Sequence, residues 1–296
     1  MKTGTTNRHK MTPETFNVST IGATHVAQMK PCQDYSLCMT KDDMTVAVVC
    51  DGHGGEPHFR SQIGAKIAAE VAAKNMFDFM TRRMNLFEKI SFTEGTTVKN
   101  NNNVNVVISD LVANILSEWS SKVLEYDKAS PITAEEEKVI SKDILDFHKT
   151  GKFTECAYGT TLLIYAQSQS FWIALQIGDG MIISRKDEDW FVTVPDDEEC
   201  EANVTTSLCD SSAEKEFRYS VEGNNNFPDI AFLCSDGLEK CFNTAEDLAG
   251  FYQGMYELIE ADLYGESVNE MKSIIKKYST SVGSDDISLA YVYNRK

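Results

Sequence analysis

Five aspartates stand at the ends of apolar, strand-like segments of the sequence. Those that follow such a segment are themselves followed by a glycine, which lets the backbone turn sharply and come close to a ligand. Asp-Gly is also a common turn pair, so any single one of these positions is explained by a turn. Five strand-end carboxylates together favour a shared site. They are Asp34, Asp51, Asp179, Asp236 and Asp285.

Carboxylates that converge on one site need to be neutralised. Two unit charges about 4 Å apart repel by about 4 kcal/mol even at an effective dielectric of roughly 20. Either the pKa values of the carboxyl groups rise or cations fill the site. Carboxylate oxygens, backbone carbonyls and water suit hard ions such as Mg²⁺ or Mn²⁺ better than zinc. Two such ions can activate a water and hold an in-line displacement at phosphorus, so the pattern predicts metal-dependent phosphoryl chemistry.

The sequence motifs of other phosphoryl-transfer and hydrolytic sites are absent from the chain. No cysteine is followed by five residues and an arginine, and there is neither a GxxxxGK[ST] nor an HExxH motif. The start of calcineurin-like metallophosphoesterases is superficially similar to Asp51-Gly52-His53 and Gly178-Asp179, but those sites also need several later histidines. The chain has five histidines and none after His148, which excludes that class.

The 296-residue chain is strongly acidic, since 28 Lys and Arg stand against 45 Asp and Glu and give a net charge of −17. Such a field repels nucleic-acid phosphates and anionic membrane surfaces, so we expect neither as a partner. Apolar runs such as 46–50 are far short of the ~20 residues of a membrane helix. Residues 1–10 are polar and lack the apolar core of a signal peptide. Eight cysteines without a CxxC pair favour a reduced, cytoplasmic protein.

The elements that must position the aspartates are predicted from hydrophobic periodicity. Apolar runs predict strands around 21–27, 35–40, 45–50, 160–167, 171–177, 181–184, 190–194, 231–234 and 287–293. Apolar spacings of three and four predict helices around 59–80, 108–123, 133–147, 244–260 and 267–278. Thr133 and Glu136 form a capping box for the third of these helices. This order of elements predicts an α+β fold with largely antiparallel sheets.

The chain is expected to form one domain over 16–296, preceded by a polar N-terminal segment at 1–15. Residues 81–155 are expected to be a helical insertion, and no Pro/Gly-rich linker separates them from the rest. An acidic, turn-rich stretch at 196–229 shows no clear period.

Six short motifs occur in order along almost the whole chain, from about residue 20 to residue 293. Together they resemble the motif set of the metal-dependent protein phosphatases of the PPM (type 2C) family. DGHGG alone is moderately specific, whereas the ordered set is a strong signal. The motifs are Gln33-Asp34-Tyr35, Asp51-Gly52-His53-Gly54-Gly55, Gly159-Thr160-Thr161, Gly178-Asp179-Gly180, Ser235-Asp236-Gly237 and Asp285-Asp286-Ile287-Ser288.

The resemblance implies a central antiparallel β-sandwich flanked by helices, with the metal site at one end. It also implies hydrolysis of phosphoserine and phosphothreonine by a metal-activated water at two Mg²⁺ or Mn²⁺ ions. Carried over by position, Asp51 bridges both ions, Gly52 offers its carbonyl to one, and Asp236 and Asp285 hold the other. Asp179 matches the family's site for a third, weaker ion.

The resemblance assigns further roles beside these ligands. His53 is the general acid that protonates the departing Ser or Thr oxygen. Asp34 belongs to the family's first acidic motif, in which Gln33 replaces the glutamate of many members. The amide oxygen of Gln33 can still accept from a metal-bound water. Residues 186–229 correspond to the variable flap beside the active site.

One family feature is missing from the sequence. Many members carry an arginine five residues before the first aspartate, where it binds the substrate phosphate through two hydrogen bonds. Here that position is Met29. The adjacent Lys30 is the candidate phosphate contact, and the alternative is that Lys30 is a solvated surface lysine.

These observations are interpreted as a protein-serine/threonine phosphatase that acts on phosphoproteins. A cognate Ser/Thr kinase or its targets are the expected partners. The alternative is a pseudophosphatase, a phosphoprotein-binding scaffold whose turnover is weak because of Met29 and Gln33. Hydrolysis of small phosphate esters stays open as a third possibility, because the motifs specify the metal centre and not the leaving group.

Overall fold

A computed structural model describes residues 13–97, 103–195, 205–262 and 265–295. The strands are β1 Glu14–Thr20, β2 Tyr35–Lys41, β3 Met44–Cys50, β4 Thr93–Thr96, β5 Leu162–Gln167, β6 Trp172–Ile177, β7 Met181–Lys186, β8 Asp189–Val192, β9 Arg218–Glu222, β10 Ile230–Cys234 and β11 Ile287–Tyr293. The α-helices are α1 Ala23–Ala27, α2 Ser61–Phe87, α3 Asn103–Ala129, α4 Glu136–Val139, α5 Lys142–His148, α6 Ala213–Glu216, α7 Asp236–Glu239, α8 Ala245–Ala261 and α9 Ser267–Lys277.

The strands form two antiparallel sheets. One has five strands in the order β1-β11-β10-β7-β8, and the other has six in the order β2-β3-β5-β6-β9-β4. In the five-stranded sheet, β1 pairs with β11 along its whole length, from Glu14 opposite Tyr293 to Thr20 opposite Ile287. The predicted antiparallel α+β architecture is therefore confirmed.

Strand β3 shows why this part of the sequence is apolar at every position. Val46 and Val48 belong to the core between the six-stranded sheet and the helices. Ala47 and Val49 belong to the core between the two sheets, where they join residues such as Leu233 of β10. A strand buried on both faces has no solvent side, so the usual alternation of polar and apolar residues disappears.

Helices cover the outer face of each sheet. The apolar faces of α2 and α3 pack on the six-stranded sheet, where the indole of the buried Trp119 donates to the Gly64 carbonyl at 3.1 Å. Helices α8 and α9 cover the five-stranded sheet with residues such as Tyr252 and Ile275. The layers are thus helix, sheet, sheet, helix, as predicted. Among the described residues, no helix combines the length and the apolar character that a membrane span requires.

The strand predicted around 21–27 is wrong. The strand in this region is β1, which ends at Thr20 because its partner β11 begins at Ile287 and offers no further ladder positions. The chain then leaves the sheet, and Ala23–Ala27 forms the short helix α1.

Two strands and one helix break were not predicted from periodicity. Strand β4 lies within the predicted helical insertion and pairs with β9, which lies within the predicted flap and is almost entirely buried. The helix predicted from the capping box is divided into α4 and α5, because Ile140 between them is extended. The capping box itself is present, since the Thr133 and Glu136 side chains each accept from the other's backbone amide.

Residues 1–12 of the predicted polar segment and 196–204 of the predicted flap lie outside the described residues.

A buried arginine ties the α3–α4 region to the start of α2. Arg60 is 3% exposed, and its guanidinium donates to both carboxylate oxygens of Glu136 at 2.7 and 3.0 Å. It also donates to Asp127 at 3.2 Å and to the Tyr158 hydroxyl at 2.9 Å. Removing one partner of such a cluster leaves the other charges without their counter-ion.

We expect Arg60→Met to lower the free energy of unfolding by about 2–3 kcal/mol, somewhat less than for a fully buried pair, because the partner carboxylates keep some solvent. Their side chains are 24% and 25% exposed. Urea denaturation at pH 7 measures the change. The matched control is Lys74→Met, which breaks the exposed Lys74–Glu118 pair and should cost no more than about 1 kcal/mol. Equal losses in the two variants would contradict the proposed role of Arg60.

The same variant has a predicted pH signature. The hydrogen bonds from Arg60 lower the pKa of Glu136 to about 2. A carboxyl group whose pKa is lowered on folding stabilises the fold above its unfolded pKa, and this contribution is lost as the pH falls through the folded pKa. The difference between wild type and Arg60→Met should therefore shrink between about pH 4.5 and pH 2. A difference that stays constant over this range would show that Arg60 acts by packing alone.

Candidate active site

The strand-end aspartates line one cavity of about 220 Å³. Asp51, Asp179 and Asp236 follow the ends of β3, β6 and β10, whereas Asp34 and Asp285 precede β2 and β11. Because β2 pairs antiparallel with β3, and β11 with β10, the start of one strand lies beside the end of its neighbour. Antiparallel pairing therefore gathers the five predicted carboxylates at one end of the sandwich.

The loop that carries Asp51 and His53 is fixed by the Gly-Thr-Thr motif. The Asp51 amide donates to the Thr161 hydroxyl at 3.0 Å, and the Asp51 carbonyl accepts from the Thr161 amide at 2.9 Å and from the Thr160 hydroxyl at 2.8 Å. The His53 amide donates to the Gly159 carbonyl at 3.1 Å. The two threonines thus bind only backbone groups of Asp51. The Asp51 carboxylate takes no part in these hydrogen bonds and remains in the lining of the cavity.

Asp34 is held by a serine from the opposite sheet. The Ser235 hydroxyl donates to Asp34 at 2.8 Å and accepts from the Ser288 amide at 2.9 Å. This chain of hydrogen bonds links β2 to β10 and β11, so the two sheets share one carboxylate-bearing edge.

The turn that carries Asp179 depends on a buried arginine of β9 that sequence reasoning missed. Arg218 is 3% exposed, and it donates to the Gly178 carbonyl at 2.6 Å. Gly178 has a φ of +100°, which an L-residue with a side chain rarely adopts. Nothing in the local sequence of β9 distinguishes Arg218 from a surface arginine, because its partner lies on another strand.

Asp286 is a sixth carboxylate in the cavity, and it orders the N-terminal segment. Its oxygens accept from the Gly22 amide at 2.7 Å and from the Gln33 amide at 2.6 Å, and one lies 2.9 Å from His25 Nδ1. The motif shows two adjacent aspartates, but only the structure separates their roles. Asp285 stays 44% exposed at the mouth of the cavity, whereas Asp286 is buried.

The carboxylates destabilise one another's charged form. Burial, together with the charges of Asp286, Asp285 and Asp236, raises the pKa of Asp34 to about 8, against the hydrogen bond from Ser235, which lowers it. Burial and the neighbouring carboxylates raise the pKa of Asp51 well above its usual range. The pKa of Asp179 is raised by burial and by Asp236. Without added positive charge, this site cannot ionise fully near neutral pH.

The donor set fits a hard divalent cation. Carboxylate oxygens dominate the lining of the cavity, and Gly52 lies among them, so oxygen ligands of the kind that Mg²⁺ and Mn²⁺ prefer are concentrated here.

Gln33 does not line the cavity, and its amide nitrogen donates to the His53 carbonyl and the Ser61 hydroxyl at 3.0 and 2.6 Å. Its Oε1 is a buried acceptor without a donor among the described residues.

A lysine that the sequence did not single out supplies positive charge in the cavity. Lys240 Nζ lies 2.6 Å from Asp236 and 3.1 Å from Asp285. Burial opposes the charge of Lys240, but the contacts with these two carboxylates outweigh it and raise the pKa of the ammonium group. The signal for this residue was its position four residues after Asp236, which brings the two side chains together on one helical turn.

Lys30, the predicted phosphate contact, is exposed, and neither Lys30 nor Met29 is among the residues that line the cavity. Met29 is 93% exposed and has a φ of +56°. The segment that carries them leaves α1 in a turn directed to solvent, so its contribution to phosphate binding stays a prediction.

His53 lines the cavity beside Asp51 and Gly54. Its ring packs against that of His58, with the centroids 4.8 Å apart. Burial and the neighbouring His58 lower the pKa of His53 to about 4, so the ring is neutral near pH 7 in this structure. A bound phosphate would raise this pKa, because an adjacent negative charge favours the protonated ring.

Comparison with known proteins places this chain in a family. The sequence profile of the family described as Protein phosphatase 2C matches residues 21–272. The serine/threonine phosphatase Stp1 from Staphylococcus aureus has a similar structure, with 12% identity, a TM-score of 0.56, and coverage of 97% of this chain and 96% of that one. PppA, a key regulatory component of T6SS in Pseudomonas aeruginosa, has 15% identity, a TM-score of 0.55, and coverage of 96% and 98%. The catalytic domain of PstP in complex with two manganese ions has 12% identity, a TM-score of 0.53, and coverage of 96% and 99%. A search of the curated proteins gives no match.

The chain belongs to the protein phosphatase 2C family, since the family profile covers most of its length. The predicted family, fold class and enzyme class are therefore confirmed, and the class is that of the metal-dependent protein-serine/threonine phosphatases, which use Mg²⁺ or Mn²⁺. The solved structures share so little sequence with this chain that they support the fold alone.

Divalent metal should stabilise the protein, because it relieves the repulsion among the clustered carboxylates. Mn²⁺ at 100 times its Kd is expected to raise the free energy of unfolding by about 2.7 kcal/mol. Thermal melts with Mn²⁺ and with EDTA measure the shift. Asp51→Asn should reduce the shift and should make the metal-free protein more stable than wild type, since the cost of burying a carboxyl group among other carboxylates is removed. An unchanged midpoint, with full activity in EDTA, would contradict a metal centre at this cavity.

Proposed function

We propose that this chain hydrolyses phosphoserine and phosphothreonine in proteins at a centre of two Mg²⁺ or Mn²⁺ ions. The observation that carries the proposal is the convergence of six aspartates on one cavity, several of them with raised pKa values. A site whose own carboxylates repel one another gains most from divalent cations. The manganese complex of PstP, which has the same fold, supports the count of two.

The ligands proposed for these ions are the cavity carboxylates and one backbone carbonyl. Asp51 would bridge the two ions, with the Gly52 carbonyl on one ion and Asp236 and Asp285 on the other. Asp179, beside Asp236, would hold a third and weaker ion. When bound, such ions lower the pKa of a water and orient a phosphoryl group for in-line displacement.

Asp34 completes the proposed centre from the β2 side, and Gln33, which is outside the cavity lining, would act only through a water. Asp34 is oriented by Ser235 at 2.8 Å, which leaves its second oxygen for a cation or for a water in the site. Gln33 offers its buried Oε1, an acceptor without a donor among the described residues. Such an acceptor is suited to fix a water by hydrogen bonding.

His53 is the proposed general acid. It lies in the cavity on the Asp51 loop, where its backbone is fixed by Gly159 at 3.1 Å. Its pKa is lowered in the free protein, so the proton it donates has to be acquired as the dianionic phosphate binds. The negative charge of the bound phosphate would then favour the protonated His53 ring, which donates its proton to the leaving group.

Lys240 is the proposed positive contact for the substrate phosphate, with Lys30 as the second candidate. Lys240 lines the cavity and is bound to Asp236 and Asp285, two of the proposed ligands. Cations held by these carboxylates would compete with the ammonium group for them, which would leave Lys240 available for a phosphate oxygen at the mouth of the site. This would replace the arginine that many relatives carry at the position of Met29.

The pseudophosphatase alternative is not favoured, because all of the predicted carboxylates lie in the same cavity. Small phosphate esters stay open as a substrate class, since the cavity specifies the phosphoryl group and not the leaving group. The proposed partners are phosphoproteins, and a cognate Ser/Thr kinase follows from the reaction as the source of such substrates.

The deciding experiment is phosphate release from a phosphothreonine peptide with Mn²⁺, with and without EDTA. Turnover that needs Mn²⁺ and is lost in a folded Asp236→Asn variant would support the proposal. Binding of the peptide without turnover would instead indicate the scaffold alternative. A kcat/KM that is high for p-nitrophenyl phosphate and negligible for every phosphopeptide tested would indicate a small-ester hydrolase.

His53→Gln should slow hydrolysis of phosphopeptides by about 10²–10⁴-fold, the usual contribution of general acid catalysis to a poor alkoxide leaving group. The loss should be much smaller for p-nitrophenyl phosphate, whose phenolate leaves without a proton. Steady-state kinetics on both substrates measure the ratio. Equal losses on the two substrates would point to a positioning role for His53.

Lys240→Met should raise the KM for p-nitrophenyl phosphate by roughly 10-fold, since a hydrogen bond to a charged group contributes about 1.5–3 kcal/mol. It should also lower the Mn²⁺ concentration needed for half-maximal activity, because a competing cation has been removed from Asp236 and Asp285.

Lys30→Met is the matched control, since Lys30 is exposed outside the cavity lining. It should change neither KM nor the Mn²⁺ requirement. A rise in KM for Lys30→Met, together with unchanged kinetics of Lys240→Met, would assign the phosphate contact to Lys30 instead.

A further inference from the structure

We infer that His58, Cys156 and Cys209 form a binding site for a thiophilic divalent cation, best matched by Zn²⁺, beside the carboxylate centre and chemically distinct from it. Each residue offers one ligand atom, and these atoms all lie within 4.8 Å of one another. Two cysteine sulfurs and an imidazole nitrogen are typical zinc ligands. This site is independent of the proposed phosphatase chemistry, which uses none of the three side chains.

Three separate segments bring the ligands together. His58 ends the 3₁₀ turn Glu56–His58, and Cys156 lies in the 3₁₀ turn Thr154–Tyr158. Cys209 lies in the loop that precedes α6. The first two turns are joined by the Arg60 amide, which donates to the Ala157 carbonyl at 2.8 Å. The third is joined by the Leu208 amide, which donates to the Thr160 carbonyl at 3.0 Å. The cluster is therefore built by the fold, since Cys156 and Cys209 are far apart in sequence.

The separations suit closure on one ion. His58 Nδ1 lies 4.0 Å from Cys156 Sγ. Ligand atoms around a tetrahedral zinc with Zn–S of about 2.3 Å and Zn–N of about 2.0–2.1 Å lie roughly 3.5–3.8 Å apart, so a contraction of about 1 Å closes the site. The Cys156 carbonyl accepts from His58 Nδ1 at 2.6 Å, and a cation bound through this nitrogen would replace that hydrogen bond. Three protein ligands leave a fourth position for water.

The thiols are accessible to an ion from solvent. All three residues are partly exposed. Cys156 and Cys209 line a cavity of about 500 Å³. Among the described residues, its lining also includes the carboxylates of Glu155, Asp210 and Glu214 and contains no lysine or arginine. A negatively charged lining raises the local concentration of cations. The thiols beneath it select the soft ion from among them.

The cluster is coupled to the catalytic loop through packing. The His58 ring stands edge-on to the His53 ring at a centroid distance of 4.8 Å. Gly159 separates the two sites, and a Cβ at this position would lie 2.7 Å from His58 Nδ1, 2.8 Å from His53 Cδ2 and 3.0 Å from Cys209 Sγ. A cation on the thiols would therefore fix the ring against which His53 packs.

The test uses Co²⁺ as a spectroscopic substitute for Zn²⁺ on the reduced full-length chain, with excess Mg²⁺ present to fill the carboxylate centre. One equivalent of Co²⁺ should produce a thiolate-to-cobalt charge-transfer absorption, and added Zn²⁺ should abolish it. Cys156→Ser and Cys209→Ser should each lose most of the absorption. The matched control Cys38→Ser, which changes a partly buried cysteine of β2, should keep it.

A second measurement needs no variant that could misfold. At Zn²⁺ 100 times its Kd, about 1% of the site stays free, so alkylation of Cys156 and Cys209 in the wild-type chain should slow on the order of 100-fold. Cys38 should be alkylated at an unchanged rate, and mass spectrometry reports each site separately.

Two outcomes would overturn the inference. One is the absence of charge-transfer absorption although all thiols are reduced, together with unprotected alkylation. The other is an absorption that survives in folded Cys156→Ser and Cys209→Ser. Asp51→Asn separates this site from the proposed function, since it should abolish Mn²⁺-dependent activity and leave the cobalt spectrum unchanged.

Discussion

Mutual repulsion among clustered carboxylates is the constraint on which the rest of this structure depends. Six aspartates line one cavity, and burial together with their own charges raises the pKa of Asp34 and Asp51. An arrangement of this kind opposes folding unless positive charge enters it. In the described residues, Lys240 contributes such charge through Asp236 and Asp285. The proposed divalent ions would contribute more, so the energetic cost of the site is also what gives it affinity for metal.

The backbone that carries the aspartates is held by buried strands and by hydrogen bonds outside the cavity. Strand β3 is buried on both faces, and the threonines of the Gly-Thr-Thr motif fix the backbone that follows it. Arg218 and Asp286 hold two further loops by hydrogen bonds to backbone groups. The charged side chains can therefore repel one another without moving the backbone that carries them.

Two sets of proposed ligands with different chemistry lie on either side of one loop. The carboxylates suit hard ions, whereas His58, Cys156 and Cys209 suit a soft one. Gly159 keeps the two sets apart without a side chain. The ring contact between His53 and His58 is the physical link through which an ion at the second set would reach the proposed general acid.

The sequence alone determined the family and the fold class of this protein, because short ordered motifs, Asp-Gly turns and apolar runs are local signals. Strands β3 and β11 and the capping box at Thr133 were predicted for the same reason. What the tertiary structure decided depends on partners distant in sequence. The strand near residue 20 ends where β11 begins, Arg218 is buried by its contact with Gly178, and Asp286 differs from Asp285 only through what surrounds it. Lys240 had a local signal in its spacing from Asp236. The meeting of Cys156 with Cys209 arises from folding, since no local pattern records which loops will lie side by side.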